Sequence, residues 1–336
     1  MEVSQPHTRI PVTERSQPSA ARFAAQDAAE AAGFSARDVH RAGLVATELA
    51  TNLVKHAIGG EVLVRRASTQ PGADVEIIAI DRGPGIGDPA RALSDGHSTA
   101  GSPGTGLGAA RRLSDVFDLY SQRDRGTVVL ARLRTGRAAG PAACRLVFGG
   151  LAVAKRGEDI CGDAWQVRCD TDGALAIMAD GLGHGIQAGE ASSAAIAAAA
   201  PHARDLPRML ETMHMGLRHT RGAAAALATI LPDQGLVKFA GIGNLAAVIS
   251  RAGATRHAVS LNGTLGHAAR EFREYSYPWD PDASFIMHTD GLGSRWSLDE
   301  YPGLRRRDPA LVAAVLYRDF AREYDDVAVI VGREGA

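Results

Sequence analysis

The sequence predicts an α/β protein of two domains, and three observations carry that expectation. The chain has 336 residues, too many for one ordinary domain and enough for each of two to bury its own core. Residues 134–143 (RTGRAAGPAA) hold two Gly, one Pro and little apolar periodicity, and lie between the strand-like runs Thr127–Leu133 and Leu146–Ala154. Before this connector strand and helix patterns mix in one layer, whereas after it strands dominate and long helices are set between them. The expected division is a first domain over 1–135, a linker over 136–144 and a second domain over 145–336.

In the first domain the apolar spacing predicts a short strand near Ile10–Val12, then helices over Ser19–Ala32 and Ala36–Ala57. Strands follow at Glu61–Ala67 and Val75–Ile80, then a Gly-rich loop, a helix over Leu107–Val116 and a last strand. In the second domain strands are predicted at Leu146–Ala154, Ala164–Arg168, Ala174–Met178, Ala225–Ile230, Leu236–Ala240, Ala246–Ser250, Ser284–His288 and Val327–Val331. Helices are expected at Ile186–Ala200, Pro207–His219 and Pro309–Arg318, and Asp172-Gly173 marks a tight hairpin.

Charge and composition narrow the function classes. Lys and Arg number 37 against 38 Asp and Glu, so no strong field draws the molecule to nucleic acid or to an anionic membrane. The first fifteen residues are polar and carry Pro6 and Pro11, without the basic-then-apolar pattern of a leader. The richest apolar run, Ala191–Ala200, is half the roughly 20 residues that a membrane-spanning helix needs. Cys144, Cys161 and Cys169 are odd in number and lack the paired spacing of a zinc site, which fits reduced thiols in a cytoplasmic protein.

Three features of the first domain converge on a nucleotide site. Glu48, Asn52 and His56 recur every four residues and share a face of the Ala36–Ala57 helix, next to an apolar stripe through Leu49 and Leu53. Alone, such a face is as readily a solvated one. The strand Val75–Ile80 then ends at Asp81, followed by Arg82-Gly83-Pro84-Gly85-Ile86-Gly87. An ionised Asp only accepts hydrogen bonds, which suits the exocyclic amine of adenine, and the glycines let backbone approach a ring closely. Gly101-Ser102-Pro103-Gly104-Thr105-Gly106-Leu107-Gly108 opens directly into a helix, whose first N–H groups make a phosphate cradle.

These residues, with Arg9-Ile10-Pro11-Val12, the box Glu48–Ala57 and the late Gly126-Thr127, resemble the GHKL (Bergerat) ATP-binding fold over residues 8–133. Within it they are most similar to anti-sigma-factor and RsbT-like serine kinases. The resemblance implies an α/β sandwich, ATP, Mg²⁺ at Asn52, adenine at Asp81, a pocket shaped by Gly85 and Gly87, and phosphates held by Gly104, Gly106 and Gly108. It makes Glu48 the general base that would orient or deprotonate a substrate serine. The short lid-like stretch Asp95–Gly104 fits compact serine kinases, and no helical histidine-acceptor segment accompanies it.

The second domain places carboxylates where strands meet loops: Asp163, Asp180, Asp290 and the pair Asp325-Asp326. Two of them repeat a tetrapeptide, Asp180-Gly181-Leu182-Gly183 and Asp290-Gly291-Leu292-Gly293. Carboxylates gathered at one sheet edge repel one another, and hard divalent cations would relieve the repulsion. A two-metal site of this kind hydrolyses phosphomonoesters. His184 fits either a proton donor to the leaving serine or a loop-packing role, His288 is expected buried within a strand, and the reach of Glu158 is open.

The motifs Cys161–Trp165, Ala179–Gly185, Thr289–Leu292 and Asp325–Ile330 resemble PPM-type phosphatases of the SpoIIE/RsbX-like branch over residues 145–332. That likeness implies an α-β-β-α sandwich with Mg²⁺ or Mn²⁺ held by Asp163, Asp180, Asp290 and Asp325, the Gly181 carbonyl adding a ligand. Asp326 stands where many relatives carry Asn. Together the two resemblances imply a fused partner-switching regulator, a serine/threonine kinase joined to a phosphatase. Both halves would act on a STAS-domain anti-sigma antagonist or stressosome-like protein, and through it on a sigma-regulating partner. The rival readings are a phosphatase whose first domain only binds or senses ATP, and a non-catalytic scaffold.

Overall fold

The computed structural model describes residues 2–3, 5–57, 59–68, 73–93, 106–135, 144–199 and 204–335. Strands β1 (Glu2–Val3) and β2 (Thr8–Val12) precede the helices α1 (Pro18–Ala31) and α2 (Ala36–His56). Next come β3 (Gly60–Ser68), β4 (Ala73–Asp81), a short α3 (Pro89–Ala92), α4 (Gly106–Leu113), β5 (Val116–Gln122) and β6 (Gly126–Arg134). The second half opens with β7 (Leu146–Val153), β8 (Asp163–Cys169), β9 (Ala174–Gly181), α5 (Ile186–Ala198) and α6 (Leu206–Gly216). Then follow β10 (Ala223–Leu231), β11 (Leu236–Ile242), β12 (Ala246–Arg251), β13 (Ala254–His257), β14 (Tyr275–Pro278) and β15 (Ser284–His288), and last α7 (Pro309–Phe320) and β16 (Val327–Glu334).

Contacts divide the chain into two units, one of His7–Gly140 with Arg306–Arg318, the other of Met1–Pro6, Pro141–Arg305 and Asp319–Ala336. These differ from the ranges 1–135 and 145–336 in two respects. Strand β1 joins the second unit by pairing with β8, Glu2 opposite Val167 and Val3 opposite Gln166. Most of α7 joins the first unit, for the packing reasons given below.

The first unit is built on an antiparallel sheet in the order β2-β3-β4-β6-β5. On one face Val62, Val64, Val75, Ile77 and Ala79 pack against the apolar stripe of α2, which buries Val39, Val45, Ala46, Leu49 and Leu53. The α2 start is fixed by Ser35, whose Oγ accepts the Asp38 N–H at 3.2 Å; Asp38 in the first turn and Lys55 and His56 in the last complement the helix dipole. Helix α1 buries Ala21, Ala25 and Ala29, spaced four apart, so the small side chains form one stripe.

The opposite face of this sheet is also buried. Leu63, Ile78, Ile80, Val128 and Leu130 are fully covered there, alternating with the core-facing residues as strand period two requires. Charged residues share this face: Arg65 Nε and Arg132 Nε donate to Glu76 at 2.6 Å each, and His7 Nε2 lies 3.3 Å from the same carboxylate. Helix α7 crosses this face. At its start Asp308 takes Arg132 through both oxygens, at 2.6 and 2.9 Å, and its N–H donates to Asp118 at 2.8 Å; near its end Tyr317 bonds Arg9 and Glu61, and Arg82 donates to the Arg318 carbonyl. Every residue from Pro309 to Arg318 is buried.

The helix expected over Leu107–Val116 is corrected. Helix α4 stops at Leu113, Ser114 Oγ bonds back to the Ala110 carbonyl at 2.7 Å, and the Asp115 N–H already bonds the Arg132 carbonyl at 2.9 Å. The chain has entered the sheet there, and Val116 begins β5. Strands β1, β13 and β14 and helix α3 are likewise additions to the expected set. The lid-like stretch from Asp95 to Gly104 and most of the linker, residues 136–143, lie outside the described residues.

In the second unit a six-stranded sheet, β1-β8-β9-β10-β11-β14, faces a five-stranded one, β13-β12-β15-β16-β7. Trp165, Met178, Ala226 and Phe239 from the first meet Ala247, Phe285, Met287 and Ile330 from the second. The Trp165 indole N–H donates to the Leu151 carbonyl at 2.9 Å, satisfying its one polar atom in the core. Helices α5 and α6 cover the outer side of the six-stranded sheet with Ala195, Ile196, Leu206, Met209, Leu210 and Met213. These are the α-β-β layers of the expected PPM-type sandwich, while the remaining helix of the segment, α7, is grouped by its contacts with the other unit. No helix among the described residues is long and apolar enough to cross a membrane.

Candidate active sites

The first unit brings Glu48, Asn52 and the start of α4 together. Both side chains are partly buried on α2. A methyl group at Gly106 would stand 3.1 Å from both Asn52 Oδ1 and Glu48 Oε2, so the first residue of α4 sits close against both side chains. The Asn52 Nδ2 is buried and has no hydrogen-bond partner among the described residues. An unspent amide donor beside a helix N-terminus suits phosphate oxygens, and turning the amide over would present its oxygen to a cation. Gly108 is buried in the same helix, Gly104 lies outside the described residues, and His56 is exposed.

Asp81 ends β4 and is held by one of its oxygens. Its Oδ1 accepts the Gly83 N–H at 2.7 Å and the Thr127 N–H at 3.2 Å. Burial raises the Asp81 pKa, and these N–H donors oppose the rise. Gly85 adopts φ +73°, and a methyl there would overlap the Gln122 carbonyl oxygen, so the loop lies directly on the end of β5. Ser121 Oγ accepts the Ile86 N–H at 2.7 Å and lies 3.0 Å from Thr127 Oγ1. Gly87 is open, with Arg123 the nearest side chain.

In the second unit Asp163 and Asp180 face each other across β8 and β9 as directly paired residues. Burial and the neighbouring Asp180 charge push Asp163 well above the usual carboxylate range, against the pull of Thr289 Oγ1, which donates to Asp163 Oδ2 at 2.7 Å. Burial, and then the charges of Asp290, Asp325 and Asp326, raise Asp180 to about 7. Asp325 is raised by burial and by Asp290. Among the described residues no three His, Cys, Asp or Glu side chains are gathered closely enough to hold an ion as placed; the four carboxylates act on one another through space around the Asp163–Asp180 pair. Carboxylate oxygens of like charge, one of them buried and three partly so, are nonetheless the donor set that a hard divalent cation takes, so these residues fit one.

The glycines of the repeated tetrapeptide have a packing reason. A methyl on Gly181 would overlap the Ala188 carbonyl, where α5 runs against β9, and one on Gly291 would overlap the Asp326 carbonyl. The Gly181 N–H donates to the Gly162 carbonyl at 3.1 Å.

Several residues outside the expected set join this site. Asp326 ties two loops together, its Oδ1 accepting the Lys155 N–H at 2.8 Å and its Oδ2 the Gly162 N–H at 3.0 Å. Asn244 Nδ2 donates to Asp290 Oδ2 at 2.5 Å, from the connection over residues 243–245 between β11 and β12. The Gly-Ile-Gly-Asn pattern of residues 241–244 was the available signal. Glu158 reaches His184 rather than the carboxylates, Oε1 to Nδ1 at 2.8 Å, on a partly exposed rim. His288 is buried in β15 with Nδ1 against the Thr289 carbonyl at 2.8 Å.

Known proteins match the two halves separately. The family model "Histidine kinase-like ATPase domain" matches residues 10–133, and "Stage II sporulation protein E (SpoIIE)" matches residues 170–333. Serine/threonine-protein kinase RsbT of Bacillus subtilis (strain 168) is 36% identical over 112 residues, which span 33% of this chain and 84% of RsbT. Phosphoserine phosphatase RsbX of the same organism is 28% identical over 140 residues, 41% of this chain and 70% of RsbX. A structure solved in work on the bacterial stressosome, described as a modular system adapted to control secondary-messenger signalling, superposes with TM-score 0.51 at 29% identity, over 56% of this chain and 99% of that one. The first half of the chain therefore belongs to the RsbT-like histidine-kinase-like ATPase domains, and it is joined to a second half that matches the SpoIIE model and is similar to RsbX.

Proposed function

We propose that this chain is a bifunctional partner-switching regulator, which phosphorylates and dephosphorylates a serine or threonine of a STAS-domain protein in the cytoplasm. The observation that carries the phosphatase half is the pair Asp163–Asp180 with Asp290 and Asp325 acting on it. Mg²⁺ or Mn²⁺ held by these four Asp residues and the Gly181 carbonyl would supply water activation and screen the phosphoryl charge. Thr289 and Asn244 fix the rotamers of Asp163 and Asp290. Glu158 Oε1 lies 2.8 Å from His184 Nδ1 and would orient the ring, which could hand a proton to the leaving serine oxygen only in its doubly protonated form.

For the kinase half, Asp81 would receive adenine through its Oδ2, while Oδ1 keeps its backbone donors. Gly85 and Gly87 would border the ring, Gly104, Gly106 and Gly108 would present backbone to the phosphates, and Asn52 would hold Mg²⁺. Glu48, which lies beside Gly106, would orient or deprotonate the substrate serine. The similarity to RsbT and RsbX supports a STAS-domain substrate for both halves.

The test uses the intact chain with a STAS protein proven to bind it, ATP and Mg²⁺ or Mn²⁺, and follows partner phosphorylation by mass. Asp163→Asn or Asp180→Asn should unmask phosphorylated partner, and adding Glu48→Gln should abolish it. If the phosphatase-dead protein transfers no phosphate, the first unit binds ATP without acting as a kinase.

A further inference from the structure

Two of the three cysteines meet. Cys161 is buried at 3% exposure, whereas Cys144 is half-buried and Cys169 exposed. Cys169 is the last residue of β8, and beyond it the chain turns through Asp170–Gly173 into β9. The Gly173 carbonyl closes that turn by accepting the Asp170 N–H at 3.0 Å, and the Cys144 thiol donates to the same carbonyl at 3.6 Å. Cys144 thus lies against the mouth of the hairpin, where Cys169 is paired opposite Ala174, the residue after Gly173, and the two thiols act on each other there.

The two thiols come from different layers. Cys144 stands two residues before β7 of the five-stranded sheet, and Cys169 ends a strand of the six-stranded sheet. Strand β8 carries Asp163 at its other end, about 20 Å away at roughly 3.3 Å per residue, so this pair is separate from the acidic site. Arg204, ion-paired with Asp170 at 2.5 Å, adds a cation to the neighbourhood. The neighbouring Cys169 thiol, against burial and aided by the Leu146 N–H, holds the Cys144 thiol down at about 7, and Cys169 is raised in turn. A nucleophilic thiolate next to a resolving thiol is the arrangement of a redox-sensitive pair.

We propose that Cys144 and Cys169 form a redox-active dithiol, which hydrogen peroxide oxidises to an intramolecular disulfide joining the start of β7 to the end of β8. The Cys144 thiolate attacks one peroxide oxygen, the O–O bond breaks, and the departing hydroxide leaves as water with the proton released from the thiol. The resulting sulfenic acid is attacked by the Cys169 sulfur, which gives up its proton as the S–O bond breaks and a second water departs. Two thiols lose two electrons and one peroxide gains them, and a dithiol reductant reverses the change.

The test treats the intact chain with a small excess of hydrogen peroxide. The free thiols should fall from three to one, the mass should drop by about 2 Da, and digestion should recover a Cys144–Cys169 linked peptide that dithiothreitol splits. The Cys161→Ser variant should behave identically. Cys169→Ser should stop at a sulfenic acid on Cys144 that dimedone traps, and Cys144→Ser should form no intramolecular link. Three thiols remaining after treatment, a link that involves Cys161, or only intermolecular dimers would overturn the assignment.

Discussion

Asp180 is the residue on which the chemistry proposed for the second unit and its stability meet. Its folded-state pKa of about 7 lies above the ordinary carboxylate value, so its ionisation works against the fold as pH rises from the carboxylate range towards 7. The cost is absent in acid, where the group is protonated whether folded or not. Asp180→Asn should therefore stabilise the fold in excess chelator at pH 8 by on the order of 1–3 kcal/mol, seen as a higher melting temperature, and change little at pH 4. The same variant should lose Mn²⁺- or Mg²⁺-dependent hydrolysis of an aryl phosphate and lose the thermal shift that either ion gives the wild type. An active Asp180→Asn protein, or wild-type turnover unaffected by chelator, would remove the metal assignment. Asp81 makes a second expectation at this scale. Asp81→Asn should weaken ATP binding by about 1.5–3 kcal/mol, the range for a hydrogen bond to a charged group, while the phosphatase activity stays intact. Isothermal titration of the intact chain reads this directly, and unchanged affinity would place adenine elsewhere.

At the scale of elements, the sheet of the first unit depends on a carboxylate with no exposure at all. Burial disfavours the Glu76 charge, but Arg65, Arg132 and His7 overcome that and hold its pKa well below the usual value of 4.5. The stabilisation it gives is complete above that value and fades as pH falls through the lower folded one. Glu76→Ala, which removes the carboxylate shared by Arg65 and Arg132, should destabilise the unit by about 3–5 kcal/mol at pH 7, with a much smaller difference near pH 2. Chemical denaturation at the two pH values measures both numbers, and equal losses would assign Glu76 a packing role alone. The legibility of these elements in the sequence followed burial. Long one-sided patterns such as α2 stood out, as did strands that end on Asp81, Asp180 or Asp290, because an apolar run stops abruptly at a carboxylate. Strand β5 did not, since five of its seven residues are only partly buried and its alternation is faint. The partners of the acidic site were hidden for another reason: Asn244 meets Asp290 across 46 residues and Glu158 meets His184 across 26, distances over which local pattern carries no signal. The charge network of Glu76 and the place of α7 were hidden likewise.

For the whole molecule, the division of the chain is not a cut at one point. Residues 1–135 look complete as a family match, yet Leu63, Ile78, Ile80 and Leu130 form a covered sheet face that α7 crosses. A fragment of residues 1–135 should leave that face open, bind a hydrophobic dye and associate, whereas the intact chain should not. Gel filtration with dye fluorescence decides it, and a monomeric, dye-silent fragment would show that the face is stable without its helix. The same crossing sets a clock on synthesis. The last strand of the first unit ends at Arg134, but Arg318 emerges only after the second unit's segment has been made. At 5–20 residues per second the nascent sheet waits about 10–40 s for its cover, a window in which a chaperone could hold it, and in which the second half of the gene decides when the first half is finished.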